Sequence, residues 1–373
     1  MGLTSTTLLV VVIALAVVSF AATVWLWPRL ARRGVAVVFG RVGLLLVTQV
    51  MLFASVALAA NNSFLFYGSW ADLFGQEQES GVVTDHADGA SASRNIVRVG
   101  TRHSGVPGAA RPTVAGRIDK VVIAGRKSGI ESPAYVYLPP EYFRPEFARR
   151  AFPAVVVLTG YPGTSENLLK GLKYPQTAHA RVKAGRAQPM ILVMLRPTVA
   201  PPRDTECVDI KGGPQTETFF AEDLPRAVSE MYRVGTRARN WGIMGNSTGG
   251  YCALKVGLHH SDRFAASAGL SAYYKAAEDP TTGDLFHGDQ RARDRANLMW
   301  SLDHLPQPDA SFLVTTSRQG EGNYRSTQKF IAKVKAPAQV SSIVLDSGGH
   351  NFNTWRREIP PALDWMSSRL SEN

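Results

Sequence analysis

Two uncharged stretches near the start of this chain limit its possible folds more than any other feature. Leu8 to Trp27 and Val42 to Ala60 hold no charged side chain, and Thr48 and Gln49 are the most polar residues of the second. Each is close to the roughly twenty residues that cross a bilayer as a helix. Two such runs in succession do not suit the core of a soluble fold, so the sequence predicts membrane helices at about 8–27 and 42–60, within an anchor over 1–61. The connector between them holds Arg29, Arg32, Arg33 and Arg41 and no acid, whereas Asp72, Glu77 and Glu79 follow the second run before any base. The positive-inside rule puts the connector in the cytoplasm, both termini outside and everything after residue 61 extracytoplasmic, a multi-pass cell-membrane topology. Trp25, Trp27, Phe64, Phe66, Tyr67 and Trp70 flank the runs, where amphipathic rings favour the headgroup layer. Ala57-Leu58-Ala59 followed by Ala60 also resembles a small-residue cleavage site, and cutting there would release the rest of the chain.

Residues 62–112 read as a linker. From residue 75 they mix Gly, Ser, Asp, His and Arg without apolar periodicity,. Arg94, Arg98, Arg102 and Arg111 either solvate it or touch anionic lipid or cell-wall polymer. The net charge of +11 (41 Lys+Arg against 30 Asp+Glu) is spread thinly, and no basic run exceeds a pair, which argues against a nucleic-acid partner,. Two cysteines exclude a disulfide-dense scaffold and a Cys₄ zinc site, and no metal or cofactor is implied,.

From residue 113 to 373 the pattern is that of an α/β domain. Arg117–Ala124 and Ala134–Leu138 read as an antiparallel opening pair,. Ala154–Leu158, Met190–Leu195 and Trp241–Met244 are continuous apolar runs, suited to strands buried on both faces of a parallel sheet,. Later strands are expected at 265–270, 312–316 and 342–345. Helices are expected at 217–232, 248–260, near 323–334 and near 358–370. This alternation predicts a doubly wound, mostly parallel sheet whose ligands sit at the carboxyl ends of its strands.

At one such end stands Gly245-Asn246-Ser247-Thr248-Gly249. A strand runs into Ser247 and a helix runs out, which holds the hydroxyl exposed in a strained bend; Cβ atoms on Gly245 and Gly249 would crowd it. The bland reading is a serine capping a helix. A serine nucleophile needs an adjacent base, and in this kind of fold the order is Ser, acid, His. Order and place leave His350, in a Gly-rich loop after the last strand. Glu321, the sole carboxylate in the loop after strand 312–316, is the preferred acid; Asp346, four residues before His350, competes. The oxyanion donors are expected to be the backbone N–H groups of Thr248 and Tyr161, since Pro162 has none to give. Cys207 and Cys252 both lie near this edge, where an extracytoplasmic location permits a disulfide. Asp204, Glu206 and Asp209 either line a substrate entrance or solvate their loop.

These residues, together with Glu217-Thr218-Phe219-Phe220, Asp223-Leu224-Pro225 and Gly348-Gly349-His350-Asn351, resemble the esterase D family of α/β-hydrolases, which includes secreted mycolyltransferases, carboxylesterases and feruloyl esterases. The resemblance covers roughly 115–370. It implies a Ser247–His350–Glu321 triad, oxyanion donors at Tyr161 and Thr248, and an acyl-enzyme formed on a carboxylic ester. Hydrolysis and acyl transfer share that acyl-enzyme, so the expectation is a membrane-anchored serine esterase or acyltransferase acting on an envelope lipid or glycoconjugate ester. Thr159 stands where the mycolyltransferases have an Asp that helps to bind trehalose, which weighs against that sugar. Two other functions share the fold: a non-catalytic binding or assembly domain, and a serine peptidase.

Overall fold

A computed structural model of the chain describes residues 2–3, 5–31, 34–64, 70, 95–106, 108, 110–201 and 203–372. The chain divides into two compact units, 1–81 and 82–373. In the first, α1 (Thr6–Leu26) and α2 (Val35–Phe64) are long and apolar enough to cross a membrane. They pack against each other. The Thr23 and Thr48 hydroxyls meet across this contact at 2.8 Å, so two polar groups inside the apolar runs satisfy one another,. Val10, Phe20, Phe39 and Phe53 face outward, exposed. The second helix starts seven residues earlier than the uncharged run and takes in Arg41, whose guanidinium donates to the Leu30 carbonyl. Arg29 stacks on Trp25, 4.0 Å from the ring centroid. Arg32, Arg33, Phe66, Tyr67, the acids that follow the second run, and Arg94 lie outside the described residues.

The second unit is built on one nine-stranded sheet in the order β1-β2-β3-β5-β4-β6-β7-β8-β9. The strands are β1 (Ile96–Arg102), β2 (Arg117–Ala124), β3 (Glu131–Leu138), β4 (Ala154–Leu158), β5 (Ile191–Leu195), β6 (Trp241–Asn246), β7 (Ala266–Leu270), β8 (Ser311–Gln319) and β9 (Gln339–Ser347). β1 to β3 and the β3–β5 pair are antiparallel, and the pairs from β5 through β9 are parallel. Every residue of β4, β5, β6 and β7 is buried, because helices cover both faces of the sheet,.

Three sequence expectations need correction. Residues 96–102 are not linker but the edge strand β1, in which Arg98 pairs with Asp119 at 3.8 Å and Arg102 reaches Glu166 and Tyr135. The helix expected over 217–232 opens at Phe219–Asp223 into a wider i→i+5 turn before α4 (Leu224–Met231), where Pro225 removes a backbone donor,. The last helix, α7 (Phe352–Arg369), begins well before 358. The Asn351 side chain caps it by accepting from the amides of Asn353 and Thr354, and Pro360 and Pro361 sit inside it,. The remaining helices used below are α3 (Tyr174–Lys183), α5 (Thr248–His259) and α6 (Tyr324–Lys333).

Cys207, in the loop after β5, is disulfide-bonded to Cys252 of α5, and both are fully buried. The bridge spans a sequence separation of 45 residues. Closing a loop of that size removes about 4 kcal/mol of chain entropy from the unfolded state. Chemical denaturation of a Cys207→Ala/Cys252→Ala variant should show a stability loss of that order; an unchanged midpoint would mean that the bridge constrains nothing.

Candidate active site

The site is assembled where β4, β6 and α5 approach most closely. Ser247 joins β6 to α5 with φ 56° and ψ −123°, a backbone region that side-chain-bearing residues rarely occupy,. Its amide donates to the Leu270 carbonyl of β7 at 3.0 Å, which pins the bend to the neighbouring strand. Close packing leaves no room for larger residues. A Cβ on Gly245 would lie 2.5 Å from the Gly249 carbonyl group, and one on Gly249 would lie 2.2 Å from the Thr159 carbonyl oxygen. The two glycines singled out from the sequence are therefore steric requirements of the bend.

The loop after β4 presses on the same point: a Cβ on Gly160 would lie 3.0 Å from the Cβ of Ser247. Tyr161 follows in that loop. Thr248 opens α5, and its amide belongs to the first-turn N–H groups that a helix leaves unpaired,. The two amides expected to hold an oxyanion thus stand on the two segments that meet at Ser247.

His350 comes from the loop between β9 and α7. Its Nε2 is 2.8 Å from Ser247 Oγ, a hydrogen bond. Trp355, one turn into α7, meets the imidazole edge-to-face at 5.2 Å and is itself fixed by an Nε1–H bond to Ser271 Oγ at 3.0 Å. Burial depresses the His350 pKa below its usual 6.5, against the opposing pull of Glu321,. The ring is therefore held neutral, able to accept a proton from the hydroxyl.

Glu321 lies 4.0 Å from His350 Nδ1, with its side chain only 2% exposed. That separation is an ion-pair distance, and closure by about 1 Å would make a hydrogen bond. Neither Glu321 oxygen has a hydrogen-bond partner among the described residues. Asp346 instead ends β9 fully exposed and pairs with Arg318 at 3.7 Å. Of the two carboxylates weighed from the sequence, the fold brings Glu321 to the imidazole.

Against α5 lies a buried charge cluster that the sequence did not flag as one. Lys255 of α5 is 2% exposed, donates to Glu217 and gives a 2.6 Å bond to the Cys207 carbonyl. His259 and His260 meet the same carboxylate at 3.1 and 3.0 Å. Burial alone would raise the Glu217 pKa, but the Lys255 charge and the two imidazoles hold it well below the usual range. The spacing of Lys255, His259 and His260 on one helix was the available signal, and it lacked the acid 38 residues upstream.

The acidic loop after β5 is not a solvated one. Asp204 and Glu206 are buried, and Glu206 has φ 47°. It accepts from the Tyr273 hydroxyl at 2.6 Å, and burial, then the Asp204 charge, pushes its pKa up to about 8. Asp209 caps the 216–218 turn by accepting from the Thr218 amide and hydroxyl.

Comparison with known proteins bears on the family and the fold. The Esterase family model matches residues 127–366. An uncharacterised protein of Corynebacterium glutamicum is 26% identical over 259 residues; the match covers 63% of this chain and 57% of that relative's length. Among solved structures, a ferulic acid esterase has a TM-score of 0.57 at 19% identity, over 68% of this chain and 98% of its own. An S-formylglutathione hydrolase of Agrobacterium tumefaciens has a TM-score of 0.57 at 15% identity, over 74% and 99%. Fluorophosphonate-binding serine hydrolase F of Staphylococcus aureus has a TM-score of 0.53 at 16% identity, over 67% and 98%. At these identities the structures share the α/β fold.

The His350 environment makes a direct prediction. NMR titration of its imidazole should give a midpoint below 6.5. A midpoint above that value would show that the Glu321 charge outweighs burial.

Proposed function

Since this chain belongs to the Esterase family and carries a strained serine bonded to an imidazole at its catalytic edge, we propose that it is a serine esterase working through Ser247, His350 and Glu321. The observation that carries this reading is the 2.8 Å Oγ–Nε2 bond at a backbone bend of φ 56°. In the first step Ser247 Oγ attacks the ester carbonyl and its proton passes to His350 Nε2. The carbonyl oxygen becomes an oxyanion that accepts from the Thr248 and Tyr161 amides. Collapse expels the alcohol, which takes the proton from His350, and leaves an acyl-enzyme. Water, or an alcohol acceptor in a transferase, enters through the same imidazole and restores Ser247. Throughout, Glu321 steadies the imidazolium from its Nδ1 side.

The substrate is a carboxylic ester, and the anchor places the enzyme beside the bilayer, so an envelope lipid or glycoconjugate ester fits its position. The two apolar helices hold the protein in the cell membrane, with the four-arginine connector inside and the catalytic unit outside. A disulfide in that unit agrees with an oxidising compartment,. A non-catalytic domain would have no use for a strained serine against a neutral histidine. Peptide bonds remain the competing substrate, tested by running peptide amides beside the esters.

Fluorophosphonate should label the wild-type chain and fail to label Ser247→Ala. On p-nitrophenyl esters Glu321→Gln should lower kcat by about 10³–10⁴ with KM nearly constant, since an amide cannot stabilise the imidazolium. Full wild-type turnover in either variant would end the triad assignment. An alkaline phosphatase fused after residue 75 should be active; an inactive phosphatase paired with an active cytoplasmic reporter would invert the topology.

A further inference from the structure

The hydrogen bonds of the site leave the plane of the imidazole open. Among the described residues the His350 ring makes one hydrogen bond, between Nε2 and Ser247 Oγ at 2.8 Å. Glu321 stands 4.0 Å from Nδ1, too far for a second,. Gly348 and Gly349 lead into the histidine, so its own backbone gives the ring little support,. A single bond leaves a planar ring free to pivot about it.

Packing supplies the missing restraint. Trp355 of α7 meets the imidazole edge-to-face, with centroids 5.2 Å apart and planes at 85°. The indole is buried, and Phe352 packs on it at 5.3 Å. Its Nε1–H donates to Ser271 Oγ at 3.0 Å, a buried bond between residues 84 positions apart in the chain. Ser271 has φ 47°, in the left-handed region that glycine enters freely,. What a serine adds at such a position is its hydroxyl, and it is held there against backbone strain.

The segment that carries Ser271 also anchors the nucleophile. The Leu270 carbonyl, one residue earlier, accepts from the Ser247 amide at 3.0 Å. The Ser271 amide donates to Thr315 Oγ1 of β8 at 2.9 Å. The Ala272 carbonyl accepts from Nδ2 of Asn323, in the loop that also carries Glu321, at 3.1 Å. Ala272 lies against the first turn of α5, where a Cβ on Gly250 would stand 3.2 Å from its own. Three successive residues thus bond the nucleophile, the indole beside the imidazole and the loop of the acid.

We propose that Ser271 and Trp355 are positioning residues for His350: the Ser271 hydroxyl fixes the indole, the indole sets the plane of the imidazole, and the ring is thereby registered to the segment that pins the Ser247 amide. This rests on the triad reading above. The restraint matters most after acylation. Ser247 Oγ then has no proton to share with Nε2, and the indole is the contact that still aims the ring at an incoming water or alcohol.

The experiment compares full-length wild type, Ser271→Gly, Trp355→Phe and the double variant in detergent, on a p-nitrophenyl ester, in the steady state and before it. Ser271→Gly suits the left-handed backbone and removes only the hydroxyl; Trp355→Phe keeps an aromatic ring and removes the N–H. Each should lose about three- to tenfold in kcat, the range that an edge-to-face aromatic pair supplies. The fall in kcat/KM, which reports acylation, should be smaller, and the initial burst of p-nitrophenol should grow relative to the steady rate. The double variant should be no worse than the poorer single one, because both cut the same contact. Wild-type kcat in Trp355→Phe, losses that multiply in the double variant, or a change confined to a raised KM overturns the proposal. If Ser271→Gly does not fold, kcat and the burst in Trp355→Phe decide. A wild-type chain inert toward esters and fluorophosphonate would overturn the functional reading and this proposal with it, whereas an active wild type matched by its variants overturns the proposal alone.

Discussion

The bend at Ser247 depends on backbone meeting backbone. β4 and β6 lie side by side with Leu158 opposite Gly245, and α5 leaves β6 so steeply that Gly249 comes against the carbonyls of Leu158 and Thr159. Only residues without Cβ permit that approach, and it is what forces Ser247 to φ 56°,. The strain is supported from several sides. The Ser247 amide is tied to β7, the disulfide ties α5 to the loop after β5, and Lys255 ties the same helix to the Cys207 carbonyl and to Glu217. A local conformation costing about 1–3 kcal/mol persists because the fully buried strands around it cannot relax.

Electrostatics are arranged around that bend by depth. His350 is partly open and held neutral by partial burial. Glu321 is nearly inaccessible, and Glu358, on α7, is completely so. Another buried acid, Glu206, accepts from Tyr273, while Glu217 stays ionised because Lys255 is beside it. Glu206 and Glu217 differ in one respect: a cation beside the second offsets the cost of burying its charge,.

Much of this was legible because it arises from local patterns. The strands Ala154–Leu158 and Ile191–Leu195 read as strands since both faces are covered and every position must be apolar. Ser247 could be singled out because the strand, the glycines and the helix are contiguous, and His350 could be chosen by chain order. β1 escaped because an edge strand with exposed Val97 and Arg98 need not be apolar and its pairing partner is remote in sequence. The start of α7 escaped because Pro360 and Pro361 suggest a helix beginning, whereas the Asn351 cap sets it at Phe352, well before Pro360.

The sequence by itself determined the apolar helices, the alternation of strands and helices, and the bend at Ser247, all of which depend on side chains close together in the chain; chain order pointed to His350, and the fold brings its Nε2 to Ser247 Oγ. The tertiary structure decided which acid faces the histidine. Glu321 and Asp346 each leave the end of a parallel strand, and their chemistry is the same. Only the packing of β8, β9 and α7 buries one against His350 and turns the other into water beside Arg318. It alone also exposed Glu358, because a glutamate on a helix looks like a surface residue until the neighbours that exclude water from it are in place.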